Sequence, residues 1–391
     1  MQSSPTLNIA LIRASYNPFG GAEKFVASAV DALADTGAKL TIITRKWPVA
    51  LGQPQDARNT GVSKHIINPK YFTSVGRERS FAQGVAHYLA NANYDLVQSH
   101  ERIVGCDVYR AGDGVHAMWL QHRARTQSAF ARAGVKFNPL HRYLLATERA
   151  MFESPKLQRV ICNSDMVRRE ILANFNIPAE KLTLIYSGVD TAKYSPALRE
   201  QHRTALRKTL QIPEDACVCL LVGSGFARKG VHTLLQALAK LPTNFYGVVV
   251  GTDKQRARYE GLSHELQIAN RVRFVGGVDD VRPYYGAADL LVLPTLYDPF
   301  PNVCLEAMAS GLPVITSTTS GAAELIKAGE NGYVCAAHDV ATLAQQIEHC
   351  VADLANAQRM GDTARQTVAP FTLGAMAAQY VALYKFLLNK T

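Results

Sequence analysis

Short apolar runs alternate with longer amphipathic stretches along the chain, the pattern of strands and helices in parallel sheets covered on both faces. In the first half LNIALIR, KLTIITR, YDLVQSH, LQRVICN and KLTLIY predict strands. AEKFVASAVDALADTG has helical spacing up to Gly37 as a stop, and SDMVRREILANF predicts a helix capped by Ser164. Residues 45–80 are irregular in pattern and no element is assigned there. A polar stretch between Gly188 and Pro196 breaks the register and marks a domain boundary. Beyond it the alternation resumes with CVCLLVG, KGVHTLLQALAKL, NFYGVVVG, DKQRARYEGLSHELQI, VRFVGG, VRPYYGAADLLVLP, PNVCLEAMASG, LPVITS and DVATLAQQIEHCVADL. The expected fold class is α/β, with doubly wound Rossmann-like domains at 1–188 and 189–372. Ligands of such sheets sit at the carboxyl ends of the strands, so two of them facing each other would form a central cleft.

The run LPTLYDPFPNVCLEAMASGLPVITS concentrates candidate chemistry. A strand ends near Pro294, and a helix is predicted between Pro301 near its start and Gly311 just beyond its end. First-turn N–H groups of Asn302 and Val303, with the helix dipole, suit a diphosphate. Glu306, one turn further in, can accept two hydrogen bonds from a vicinal diol such as a ribose presents. In VGSGFARKGVHTLLQAL, Arg228 and Lys229 stand just before the Gly230 that opens a helix. Fixed cations there can stabilise the negative charge that develops on a departing diphosphate. Gly20 and Gly21, in the loop from Tyr16 to Glu23, allow a close approach of backbone to an anion. Gly-x-Gly-x-x-Gly is absent, which argues against a dinucleotide dehydrogenase. Asp113, in VYRAGDGVHAMW, falls on a glycine-flanked loop at the end of a strand. Either it or His116 is a candidate functional group, and a plain turn is the alternative. Asp279 and Asp280 are expected to cap the helix that begins DDVRPYYGAA.

These residues resemble glycosyltransferase family four, whose members have the GT-B fold. The family signature is an acidic residue, seven intervening residues and a glutamate, followed by Gly-x-Pro, and Asp298, Glu306, Gly311 and Pro313 occupy those places. The likeness covers nearly the whole chain and extends to the lipopolysaccharide-core hexosyltransferases of the glucosyltransferase I type. It implies that Glu306 contacts the donor ribose, Asp298 the sugar hydroxyls, and Arg228 with Lys229 the diphosphate. It also implies that the Gly20-Gly21 loop touches the donor phosphates, and that catalytic roles fall to Asp113, Asp298 and Lys229. The chain departs from the family at three places: Asp298 where glutamate is commoner, Pro301 where glycine is, and Ser224 where arginine often stands. By the same likeness the donor's anomeric configuration is retained, and a C-terminal helix within 373–391 crosses back onto the first domain.

The net charge of +10 is unevenly placed, with 24 basic against 15 acidic side chains up to residue 195 and 18 against 17 beyond it. Residues 114–147 hold no acid, but contain Arg123, Arg125, Arg132, Lys136 and Arg142 interleaved with Trp119, Phe130, Phe137 and Leu144. That mixture suits a segment at an anionic inner-leaflet membrane surface, the alternative being a solvated face over a core. Nucleic acid is not expected as a partner. Seven cysteines, odd in number and without zinc spacing, predict buried free thiols. No apolar run reaches the roughly 18 residues of a membrane span, and the N-terminus lacks a signal pattern. A cytoplasmic protein, peripherally bound to the inner face of the cytoplasmic membrane, is therefore expected. Asp-x-Asp, which holds a divalent cation in metal-dependent transferases, is absent, so neither metal nor other cofactor is expected. The resulting expectation is a retaining transfer of a hexose, glucose first, from a UDP-sugar to a phosphorylated glycolipid acceptor such as the lipopolysaccharide inner core. A nucleotide-sugar epimerase of the same fold is one alternative. A non-catalytic basic lipid- or nucleic-acid-binding protein with a transferase-like core is another.

Overall fold

The structure, a computed structural model, describes residues 7–15, 39–46, 62–125, 134–135 and 137–389. The chain divides into two compact units, Met1–Ser187 with Leu373–Thr391, and Gly188–Thr372. The first holds a seven-stranded parallel sheet of β1 (Asn8–Ile12), β2 (Lys39–Thr44), β3 (Val62–Ile66), β4 (Leu96–Ser99), β5 (Val108–Arg110), β6 (Arg159–Cys162) and β7 (Leu182–Leu184). Their order is β3-β2-β1-β4-β5-β6-β7, so the winding reverses between β1 and β4.

Side-chain alternation explains why the strands read as nearly continuous apolar runs. Ala10 and Ile12 of β1 join a core with Phe81, Val85, Met151, Phe152 and Ile171 from helices on one face. Ile9 and Leu11 face the other way, onto Met376, Tyr380, Leu383, Tyr384 and Leu387 of the helix Leu373–Leu388. Both faces are thus covered, as a parallel sheet requires. The last helix is also fixed by polar contacts: Tyr384 Oη donates to Gln98 Oε1 at 2.6 Å, and Arg110 Nε to Tyr380 Oη at 3.1 Å.

The second unit repeats the winding with β8 (Cys217–Val222), β9 (Phe245–Val250), β10 (Val272–Gly276), β11 (Leu290–Leu293), β12 (Val314–Ser317) and β13 (Gly332–Cys335) in the order β10-β9-β8-β11-β12-β13. Its reversal lies between β8 and β11, which pair in parallel. Loops after those two strands therefore open at the place where doubly wound sheets take ligands.

Three expectations are corrected. The segment 45–80, left without an element, contains β3 and the start of a helix, Ser74–Ala90. The helix begun at DVATLAQQIEHCVADL ends earlier, at Cys350. Asp280 accepts the backbone N–H of Arg282, the first residue of the helix Arg282–Ala287, at 3.0 Å, but does so from one residue before the N-cap Val281. All seven cysteines are buried and free.

Candidate functional site

The loops after β8 and β11 meet through backbone. Gly225 begins a single helical turn, Phe226–Lys229, whose first N–H donates to Asp253 Oδ2 at 2.6 Å. Gly230 follows with φ of +78°, a conformation that favours glycine, and a Cβ there would collide with the Pro294 carbonyl after β11. The Arg228 carbonyl accepts from the Leu296 N–H and from Thr295 Oγ1, both at 2.8 Å. Glycine at 230 thus lets the turn carrying both cations lie directly against the loop carrying Asp298.

The side chains complete that contact. Asp298 Oδ2 accepts from Lys229 Nζ at 2.6 Å and from Arg228 Nη1 at 2.9 Å. Lys229 and Asp298 are each 7% exposed. The Asp298 backbone is fixed against the loop after β12, its N–H donating to Thr319 O at 3.1 Å and its carbonyl accepting from Gly321 at 2.9 Å. Burial alone would raise the Asp298 carboxyl, but Lys229 and Arg228 outweigh it and hold the group below the ordinary carboxylate value. Ser224, where the family often has arginine, is instead tied to Thr252, whose N–H donates to Ser224 Oγ at 3.1 Å.

The helix Asn302–Ala309 starts four residues after Asp298 with Pro301 as its N-cap. As first-turn groups, the N–H donors of Asn302 and Val303 have no carbonyl one turn back within the helix. Glu306 projects from the same helix, and its Oε2 accepts from Tyr285 Oη at 2.9 Å. Tyr194 also hydrogen-bonds Glu306, and the two tyrosine rings pack edge to face with centroids 5.7 Å apart. Burial, and then the Glu306 charge, push both phenols upward, so they remain protonated donors. A carboxylate has about four lone-pair directions, so acceptor capacity remains on Glu306 for a diol. Sequence reasoning missed Tyr194 and Tyr285 because one lies in the polar stretch at the domain boundary and the other in a short helix before β11.

In the first unit Asp113 lies exposed on the loop that follows β5, as its flanking glycines suggested. His116, three residues on, is buried at the start of the helix His116–Ala124, with Nε2 3.1 Å from His141 Nδ1. Burial, followed by Arg102 and His141, lowers the His116 imidazole to about 4, so it is neutral at pH 7. Glu101, missed in the sequence, stands just beyond β4 at the winding reversal and accepts the Ala14 N–H at 2.9 Å. Burial raises its carboxyl, Arg13 opposes the rise, and nearby Asp113 adds to it. The signal available for Glu101 was a charged residue just beyond the strand-forming run YDLVQSH.

Gly20 and Gly21 lie outside the described residues, as do Phe130, Arg132 and Lys136. The rest of the acid-free stretch divides: Met118 packs against the core, whereas Phe137 is 74% exposed. Among the described residues no helix is long and apolar enough to cross a membrane.

Two family models match the chain in succession, one described as Glycosyltransferase Family 4 over residues 19–193 and one as Glycosyl transferases group 1 over residues 202–367. The lipopolysaccharide glucosyltransferase WaaG of Escherichia coli (strain K12) is 28% identical over 333 residues, covering 84% of this chain and 85% of its own. A D-inositol 3-phosphate glycosyltransferase of Corynebacterium efficiens is 25% identical over 401 residues, covering 93% of this chain and 90% of its own. Among solved structures, a crystal structure of WaaG, a glycosyltransferase involved in lipopolysaccharide biosynthesis, matches with a TM-score of 0.81 at 26% identity. That match covers 96% of this chain and 99% of the other.

Proposed function

We propose that the chain, a glycosyltransferase of the GT-B fold whose halves match the family 4 and group 1 models in turn, transfers glucose from UDP-glucose to a phosphorylated glycolipid with retention of configuration. The observation that carries the reading is the pair Arg228 and Lys229 on Asp298, beside a helix N-terminus whose Glu306 is oriented by two tyrosines. In this reading the N–H groups of Asn302 and Val303 and the two cations receive the diphosphate, Glu306 receives the ribose diol, and Asp298 meets sugar hydroxyls. Transfer breaks the bond from the sugar's anomeric carbon to the diphosphate oxygen while the acceptor oxygen bonds the same face. The acceptor proton passes to the departing phosphate, and Lys229 and Arg228 stabilise the charge left there. That assignment gives the cations the task a divalent metal performs elsewhere, so no metal is required. Asp113, exposed at a strand end of the first unit, is assigned to the acceptor or transferred sugar, and Gly20-Gly21 to the donor phosphates.

The WaaG likeness and the basic first half support this acceptor class, and the basic half also supports peripheral contact with anionic lipid. The inositol phosphate likeness favours a second acceptor, a soluble phosphorylated polyol. The reading is tested by incubating the protein with UDP-glucose and inner-core lipopolysaccharide, and analysing both lipid and nucleotide by mass spectrometry. Equimolar UDP and hexosylated lipid are expected. Donor consumed without acceptor would instead indicate an epimerase or hydrolase.

A further inference from the structure

We propose that Arg102, paired with the buried Glu148, is a positioning device for Asp113, fixing the loop that carries it so that transfer depends on the Arg102 guanidinium. The proposal rests on the assignment of Asp113 to the reaction made above.

Asp113 is itself exposed, yet the chain on either side of it is held from beneath. Before it, Asn163 Nδ2 donates to the Gly112 carbonyl at 3.4 Å. After it, Gly114 adopts φ of +66°, and its carbonyl accepts from Arg102 Nη2 at 3.0 Å. Two residues further, the His116 N–H donates to Glu148 Oε1 at 2.9 Å and Oε2 at 3.1 Å. Arg102 Nε closes the figure by donating to Glu148 Oε1 at 2.9 Å. Glu148 is 0% exposed.

One ion pair therefore holds both ends of the segment 114–116. The guanidinium reaches a carbonyl next to Asp113 and a carboxylate on the helix Pro139–Phe152, while that carboxylate caps the helix His116–Ala124 at its positive end. The two acids that bound the acid-free stretch, Asp113 and Glu148, meet at one loop. Buried ion pairs are seldom better for stability than apolar side chains of the same volume. What this pair supplies beyond stability is geometry, because only a planar fork with several donors serves both acceptors at once. A lysine keeps the charge beside Glu148 but has one nitrogen to share between two directions.

The experiment is a double-mutant cycle on Arg102→Lys and Asp113→Ala, assayed with UDP-glucose and inner-core lipopolysaccharide, with UDP binding followed in parallel by calorimetry. Arg102→Lys is expected to lower kcat on the order of 10²-fold, the cost of a misplaced catalytic geometry, leaving UDP affinity unchanged. In the Asp113→Ala background the same substitution should cost nothing further. Amide exchange at Gly114 and His116 should quicken in Arg102→Lys. Should that variant not fold, Arg102→Met with Glu148→Leu gives an apolar pair for the same cycle. Losses that multiply across the cycle, or Arg102→Lys turning over at the parent rate, overturn the positioning role while leaving Asp113 in place. An Asp113→Ala enzyme as active as the parent would overturn both this proposal and the assignment it rests on.

Discussion

Lys229 Nζ lies 2.6 Å from Asp298 Oδ2, the same oxygen that Arg228 reaches at 2.9 Å. A diphosphate arriving at these cations competes with a carboxylate that the protein itself supplies. In the proposed reaction Asp298 thus has two effects of opposite sign, contact with the sugar and neutralisation of the cations that receive the diphosphate.

Asp298→Asn should accordingly bind UDP more tightly than the parent while transferring sugar more slowly. The variant leaves Lys229 buried without its charge partner, a loss on the order of 3–5 kcal/mol for a buried pair. UDP should restore more of the melting temperature in the variant than in the parent. Calorimetry and thermal unfolding check both points, and weaker UDP binding by the variant would show that competition for the cations is unimportant.

Glu306 is oriented by Tyr285 at 2.9 Å, so removing that hydroxyl should affect ribose recognition and little else. Tyr285→Phe should weaken UDP binding by about 1 kcal/mol, near the net worth of one hydrogen bond, and Glu306→Gln by more. Pyrophosphate, which has no ribose, should bind both variants as it binds the parent. Equal losses for pyrophosphate and UDP would place Glu306 at the phosphates instead.

The pH dependence of stability should show His116. Its folded pKa of about 4 lies below the ordinary value of 6.5, so between those values the unfolded chain binds more protons than the folded one. The stabilisation is fully present above pH 6.5 and is lost as pH falls toward 4. His100, also lowered by burial and then by Arg110 and Arg13, acts in the same direction. Denaturant titrations at pH 7 and pH 5 should therefore converge in His116→Asn relative to the parent, and an unchanged difference would contradict the buried neutral state.

Much of the second unit was legible in sequence because its strands are central and buried, as CVCLLV and LLVL are. β3 escaped because VSKHI is an edge strand with polar side chains, and the helix Ser74–Ala90 because only Phe81 and Val85 along its length are buried. The signature spacing located Asp298 and Glu306 but not what holds them. Lys229 and Asp298 are 69 residues apart, Arg102 and Glu148 46, and such pairs exist only once the winding brings distant segments together. The loop position of Asp113 was readable from its glycines, whereas the ion pair beneath that loop had no local pattern to announce it.

In the proposed reaction protein cations, chiefly Lys229, stabilise the leaving diphosphate without a metal. Single-turnover transfer from UDP-glucose to inner-core lipopolysaccharide in EDTA, comparing the parent with Lys229→Ala, isolates that role. The expected result is a parent rate untouched by EDTA and a loss on the order of 10²-fold in the variant, with a much smaller loss of UDP affinity. A strict requirement for magnesium or manganese, or a Lys229→Ala enzyme that turns over at the parent rate, would contradict it.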